Sequence, residues 1–190
     1  MRGLRRRFLL SGLLYGVARA APGLAAPGLA ATGIGGPFVL VNGAGHSVTE
    51  ADFRGRYLLV TFGYTSCPDT CPATLYKLAA VLRRLGLRSA SLRVVFISVD
   101  PVRDSPALTA HYAALFSPDI IGLSGSATQL QRVAADFHVY VGPENPDTGA
   151  IAHGSLLYLM DPAGRFVAAL PAGLGPRALT ERLMELMTKS

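Results

Sequence analysis

The sequence predicts an α/β sandwich, a central mixed sheet flanked by helices, with a short hairpin ahead of it. Two observations carry this. The apolar runs Tyr57–Phe62 and Leu92–Val99 are continuous, as strands covered on both faces are, and a helix-periodic segment joins them. Near the C-terminus a hairpin pattern and a further helical pattern follow, adding antiparallel strands to the parallel pair. A chain of 190 residues, half of them apolar, suits one domain with a sizeable core. No internal repeat or second domain is visible.

Residues 1–20 read as an export signal. Arg2, Arg5, Arg6 and Arg7 form a basic start, an apolar run extends from Phe8 to Val17, and Ala18-Arg19-Ala20 supplies small residues for cleavage. A membrane span needs about 20 apolar residues, so the run is short for one, although an uncleaved leader would tether the chain at the membrane. Arg5-Arg6-Arg7-Phe8-Leu9 is similar to a twin-arginine signal, with Leu4 and Leu10 in place of polar flanks. The destination is outside the cytoplasm, a periplasm or the periplasmic face of an inner membrane. Residues 21–36, rich in Ala, Gly and Pro and without charge, read as a flexible lead-in, with the folded domain over 37–190.

The net charge is +6, but the five arginines of the leader account for most of it, leaving +1 for the remainder. Nothing in that remainder makes the one-sided basic face that nucleic acid requires.

In the body, Phe38–Asn42 and His46–Val48 read as strands about the turn Gly43-Ala44-Gly45, and Thr49–Arg54 as a turn. After Tyr57–Phe62, a helix is expected to open at Pro72 and to stop at Gly86, with Leu75, Leu78, Ala79, Leu82 and Leu85 inward. Asp100-Pro101 ends the second long strand. Ser105-Pro106 pairs an N-cap with a first-turn proline, for a helix to about Phe116. Ile120–Leu123 is a short strand, and Ser126 with Gln129 is a capping box for a helix to about Phe137. His138–Val141 is expected extended and Gly142–Ala152 a long loop that delivers His153. Leu156–Met160 and Arg165–Leu170 flank the turn 161–164, and Pro176–Met187 closes the chain as a helix. Met184 and Met187 fit there as core fillers.

Cys67 and Cys71, both cysteines of the chain, stand where the first long strand passes into its helix. The expectation is that Pro72 keeps Cys71 at the helix entrance, where unpaired N–H groups and the macrodipole favour a thiolate. The three-residue spacer can close a disulfide or open around one ion. A structural disulfide would close too small a loop to remove much chain entropy, and a structural zinc site would want about four ligands.

Several separated motifs together resemble the Sco/SenC family of copper-handling, thioredoxin-like proteins. They are Asp52–Gly55, Phe62–Pro72, Asp100–Pro106, His153 and Tyr158–Phe166, in the family's order and spacing, within a stretch from about Pro37 to Met187. The resemblance implies a thioredoxin-like fold and one copper ion held by Cys67, Cys71 and His153. Thiolates suit Cu(I) and an added imidazole makes the set acceptable to Cu(II). His46, His111 and His138 have no such motif. The family usually carries Asp before this histidine and Ser after it, where this chain has Ala152 and Gly154. That removes a carboxylate able to orient the imidazole. Asp100, Arg103 and Asp104 read either as a strand-end turn with a surface ion pair or as a docking site for a partner.

The implied function is a copper metallochaperone serving an acceptor such as the CuA centre in subunit II of a cytochrome c oxidase, with a copper donor or thiol reductase as further partner. The rival is a thiol-disulfide oxidoreductase in which Cys67 attacks and Cys71 resolves. A peroxidase would want a separate peroxidatic motif, and none is present.

Overall fold

The computed structural model describes residues 33–189, so the leader and most of the lead-in lie outside the described residues. The described chain is already tied down at its start: Ile34 packs on the core and the Gly35 N–H donates to the Asp136 carbonyl at 2.7 Å. A short hairpin comes first, β1 (Val39–Val41) against β2 (Ser47–Thr49). The expected turn after it is a 3-10 helix, Glu50–Phe53, in which the Asp52 carboxylate accepts from the Thr49 N–H and hydroxyl at 2.7 and 2.9 Å.

β3 (Tyr57–Gly63), buried at every residue, is the middle of a five-stranded sheet. Helix α1 (Thr70–Leu85) leads from it to β4 (Leu92–Ser98), which lies parallel to it, and α2 (Pro106–Ala114) leads to β5 (Ile120–Leu123), parallel again. α3 (Ala127–Asp136) follows, then β6 (Val141–Glu144) and β7 (Ile151–His153) as a separate ribbon. β8 (Leu156–Met160) and β9 (Phe166–Pro171) complete the sheet as an antiparallel pair, and α4 (Pro176–Lys189) packs beside α1. The strand order β5-β4-β3-β8-β9, with helices on both faces, is a thioredoxin-like sandwich.

Alternation along the central strands feeds two cores. Leu58, Val60, Phe62, Val95 and Ile97 face α3 and the N-terminal hairpin, where Leu40, Leu130, Val133 and Phe137 meet them. Leu59, Val94 and Phe96 face α1 and α4, among Leu75, Leu78, Leu82, Leu179 and Leu183. Met184 and Met187 pack against this second core, as fillers should.

The expected caps are present. The Ser105 hydroxyl accepts from the Leu108 N–H at 3.2 Å. Ser126 and Gln129 exchange hydrogen bonds at 3.3 and 2.8 Å, and the Gln129 amide also reaches the Val39 carbonyl, fastening α3 to β1.

Three local expectations fail. α1 opens at Thr70, not Pro72, so Cys71 is inside the first turn; a proline there costs nothing because the first four N–H groups have no intrahelical partner. The stretch expected to be extended at 138–141 begins with His138 at φ 54, and the loop expected over 142–152 is the ribbon β6–β7. Its turn is built locally: the Asn145 side-chain oxygen accepts from the N–H groups of Asp147 and Thr148 at 2.9 and 3.0 Å, and Gly149 takes φ +67. Among the described residues no helix is long and apolar enough to cross a membrane.

α2 lies so close to β5 that a Cβ on Gly122 would stand 2.3 Å from the Thr109 carbonyl oxygen. Gly122→Ala is therefore expected to lower stability by about 1–3 kcal/mol through overpacking, read as a reduced urea midpoint at unchanged slope.

Candidate metal centre

The site lies at the end of β3, where the chain leaves the sheet for α1. Gly63 is the last strand residue, and a Cβ there would meet Phe96 Cε2 at 2.6 Å and Cys71 Sγ at 2.8 Å, so the Cys71 sulfur rests against bare main chain. Cys71 is 4% exposed, whereas Cys67 is partly exposed; both are free thiols.

Asp69 precedes α1 without capping it through its side chain. The Cys67 sulfur takes that place, with the Thr70 hydroxyl at 3.3 Å and the N–H groups of Asp69 and Cys71 directed to it. Burial works against the Cys67 thiolate, but these donors outweigh it and bring the thiol down to about 7. Burial pushes Cys71 up to about 12, against the lowering effect of the Tyr64 N–H and reinforced by the neighbouring Cys67. The expectation that the helix start would favour a thiolate at Cys71 is thus overturned, since Cys71 is inside the turn and out of water.

His153 arrives on β7. Its Nε2 is 3.5 Å from Cys71 Sγ, and its Nδ1 is 3.0 Å from the Gly154 carbonyl oxygen. A carbonyl only accepts, so the neutral ring carries its proton on Nδ1 and turns an unprotonated Nε2 toward the sulfur. The main chain thereby orients the imidazole. Tyr64 stands edge-on to the ring, centroids 5.8 Å apart at 84°, and its hydroxyl accepts from the Ile151 N–H at 3.2 Å. Phe62, Cys71, His153, Thr61, Thr74 and Ser155 line a narrow cavity of about 20 Å³ beside the two groups.

The structure therefore brings Cys71 and His153 together, and the Cys67 thiol, whose hydroxyl partner is Thr70, also interacts with the Cys71 thiol. Among the described residues no three His, Cys, Asp or Glu side chains stand ready as a preformed metal cluster. His46 is exposed in the first hairpin turn, His111 is on α2 and His138 follows α3. Asp104, weighed as part of a surface ion pair, is 1% exposed. It accepts from the Thr65 N–H and hydroxyl at 3.0 and 2.6 Å and from the Ser98 hydroxyl at 2.6 Å, anchoring the cysteine loop. Sequence reasoning missed Tyr64, Thr65 and Thr70 as individuals. They lie within the cysteine motif, but the partners of Tyr64 and Thr65 are far along the chain.

A family model described as SCO1/SenC matches residues 27–188. The chain belongs to the SCO1/SenC family. It is 35% identical over 157 residues to the mitochondrial protein SCO1 of Saccharomyces cerevisiae, covering 80% of this chain and 53% of that one. Among solved structures, copper-bound ScoI of Arabidopsis thaliana superposes with a TM-score of 0.77 at 35% identity, over 83% of this chain and 99% of the other. Copper-bound ScoI of Bradyrhizobium japonicum gives 0.73 at 37% identity, over 80% and 99%. The chain spans about half the length of the curated SCO1 and SCO2 relatives it matches.

The thiol asymmetry is open to measurement. Alkylation by iodoacetamide is expected at Cys67 first, its rate rising with pH through a midpoint near 7 as the thiolate forms, while Cys71 stays protected well above that pH. Thr70→Val removes the hydroxyl at Cys67 and should move the lower midpoint upward, followed by mass spectrometry of the modified peptides.

Proposed function

We propose that this protein is a copper carrier that works outside the cytoplasm, with Cys67, Cys71 and His153 as ligands and copper as cargo. The observation that carries the reading is the approach of His153 Nε2 to Cys71 Sγ at 3.5 Å, in the tautomer that leaves Nε2 free to ligate. Cys67, part ionised at neutral pH and partly exposed, is the point of first contact for an incoming ion. Cys71 then gives up its proton as its sulfur bonds to the metal, and the charge neutralisation offsets the cost of a buried thiolate. Two thiolates suit Cu(I), and the imidazole extends the set to Cu(II).

Three ligands leave one side of the ion open. A partner thiolate can enter there before the first bond breaks, which a closed four-ligand site would prevent. Copper-bound relatives support the choice of metal, and the family resemblance points to an acceptor of the CuA type in a cytochrome c oxidase. The basic, apolar start of the chain supports export to a periplasm.

A second reading has its own support in the unequal burial of the two thiols. In it the Cys67 thiolate attacks an acceptor's disulfide to form a mixed disulfide. Cys71 then attacks the Cys67 sulfur, releasing the acceptor as a dithiol and leaving Cys67 and Cys71 joined until an external thiol reductase restores them.

Anaerobic titration of the reduced protein with Cu(I) and Cu(II), beside elemental analysis, separates the two. One tight equivalent is expected. Cys67→Ser should weaken both oxidation states by more than the ~10–100-fold typical of losing an outer partner, and His153→Ala should weaken Cu(II) more than Cu(I). No tight copper, together with a readily cycled disulfide that His153→Ala leaves untouched, would replace the carrier by the reductase.

A further inference from the structure

The segment 100–105 at the end of β4 touches both halves of the site. Through Asp104 it holds the cysteine loop at Thr65, as described above. Through Arg103 it holds the ribbon that carries His153. Nη1 donates to Glu144 Oε1 at 3.1 Å and Nη2 to the Gly149 carbonyl at 2.9 Å, while Nε donates to the Asp100 carboxylate. The guanidinium carbon also stands 5.8 Å from the centroid of Tyr64, the ring that meets His153 edge-on. Asp100 is itself fixed, 3% exposed and accepting from the N–H groups of Val102 and Arg103 at 3.2 Å.

We propose that Arg103 is a positioning residue for the metal centre: with Asp104 it forms a bracket that sets the distance between the cysteine loop and His153, acting through the β6–β7 ribbon and Tyr64. The function of the bracket rests on the copper-carrier reading; its geometry does not. A two-stranded ribbon as short as β6–β7 is marginal by itself, so its placement needs an outside hold. An exposed Arg–Glu pair alone would contribute little. Here the planar fork also binds a main-chain oxygen in the ribbon's turn and covers Tyr64, a combination that a lysine cannot reproduce. Gly149 completes the fit, since a Cβ at its φ of +67 would stand 3.0 Å from Nη1. With Nε, Nη1 and Nη2 each turned to a partner within the chain, Arg103 is poorly placed to receive a partner's carboxylate, the docking role that the sequence left open.

The test compares Arg103→Gln, Arg103→Lys and the milder Glu144→Gln in the full chain by amide hydrogen exchange and copper titration. In Arg103→Gln, exchange at Ile151 should become several-fold faster while that at Thr65 is unchanged. Cu(II) affinity should fall about 10-fold or more, the size of an outer-partner loss, with a shifted sulfur-to-copper absorption band. Lysine should restore only part of this, and Glu144→Gln should reproduce a smaller version. In a His153→Ala background Arg103→Gln should add no further loss of Cu(II), because both act on one ligand. Unchanged exchange at Ile151 in both Arg103→Gln and Glu144→Gln would overturn the bracket, and so would a Cu(II) loss that adds fully to that of His153→Ala. Absence of copper binding in the unaltered protein would instead defeat the carrier reading, while the exchange data still decide the bracket.

Discussion

The site depends on one buried acceptor, the side chain of Asp104. At 1% exposure it must find its hydrogen bonds within the protein, and it takes three, from the Thr65 N–H, the Thr65 hydroxyl and the Ser98 hydroxyl. Its own carbonyl is held by the Ser124 hydroxyl at 2.6 Å, just past the end of β5. These contacts join the ends of β3, β4 and β5 to the loop that bears Cys67. The sheet supplies the platform, and Asp104 converts the position of its strand ends into the position of a sulfur.

The electrostatic contrast between the thiols follows from where that platform puts them. Cys67 occupies the place of a helix cap and collects donors; Cys71, four residues on, lies in the first turn against β3 and loses water. The same burial that makes Cys71 a poor thiolate in the free protein makes it a sheltered partner for the imidazole beside it. His153 reaches it on a ribbon outside the main sheet, so the two halves of the site come from different sheets.

Much of this was legible beforehand. The continuous apolar runs gave the buried central strands, and Ser105, Ser126 and Gln129 marked helix starts by chemistry that works locally. The cysteine pair and its place at a strand-to-helix junction could be read because the residues are near in sequence. The opening of α1 could not, because proline is tolerated anywhere among the unpaired N–H groups of a first turn. Nor could the ribbon β6–β7, whose Gly- and Pro-containing sequence resembles a loop and is organised by Asn145, Gly149 and a grip from Arg103 more than 40 residues earlier. The roles of Tyr64 and Thr65 were hidden for the same reason: each is defined by a partner at long range.

The bare main chain under Cys71 has a further consequence. Gly63 and Phe96 close one side of the sulfur and the His153 ring stands on another. An ion held by Cys71 would therefore have a restricted direction of approach, and the ligands around it would be arranged with a fixed hand. Its sulfur-to-metal transitions would be optically active with a definite sign, making the circular dichroism of a loaded centre a reporter of the sulfur's seat on the sheet.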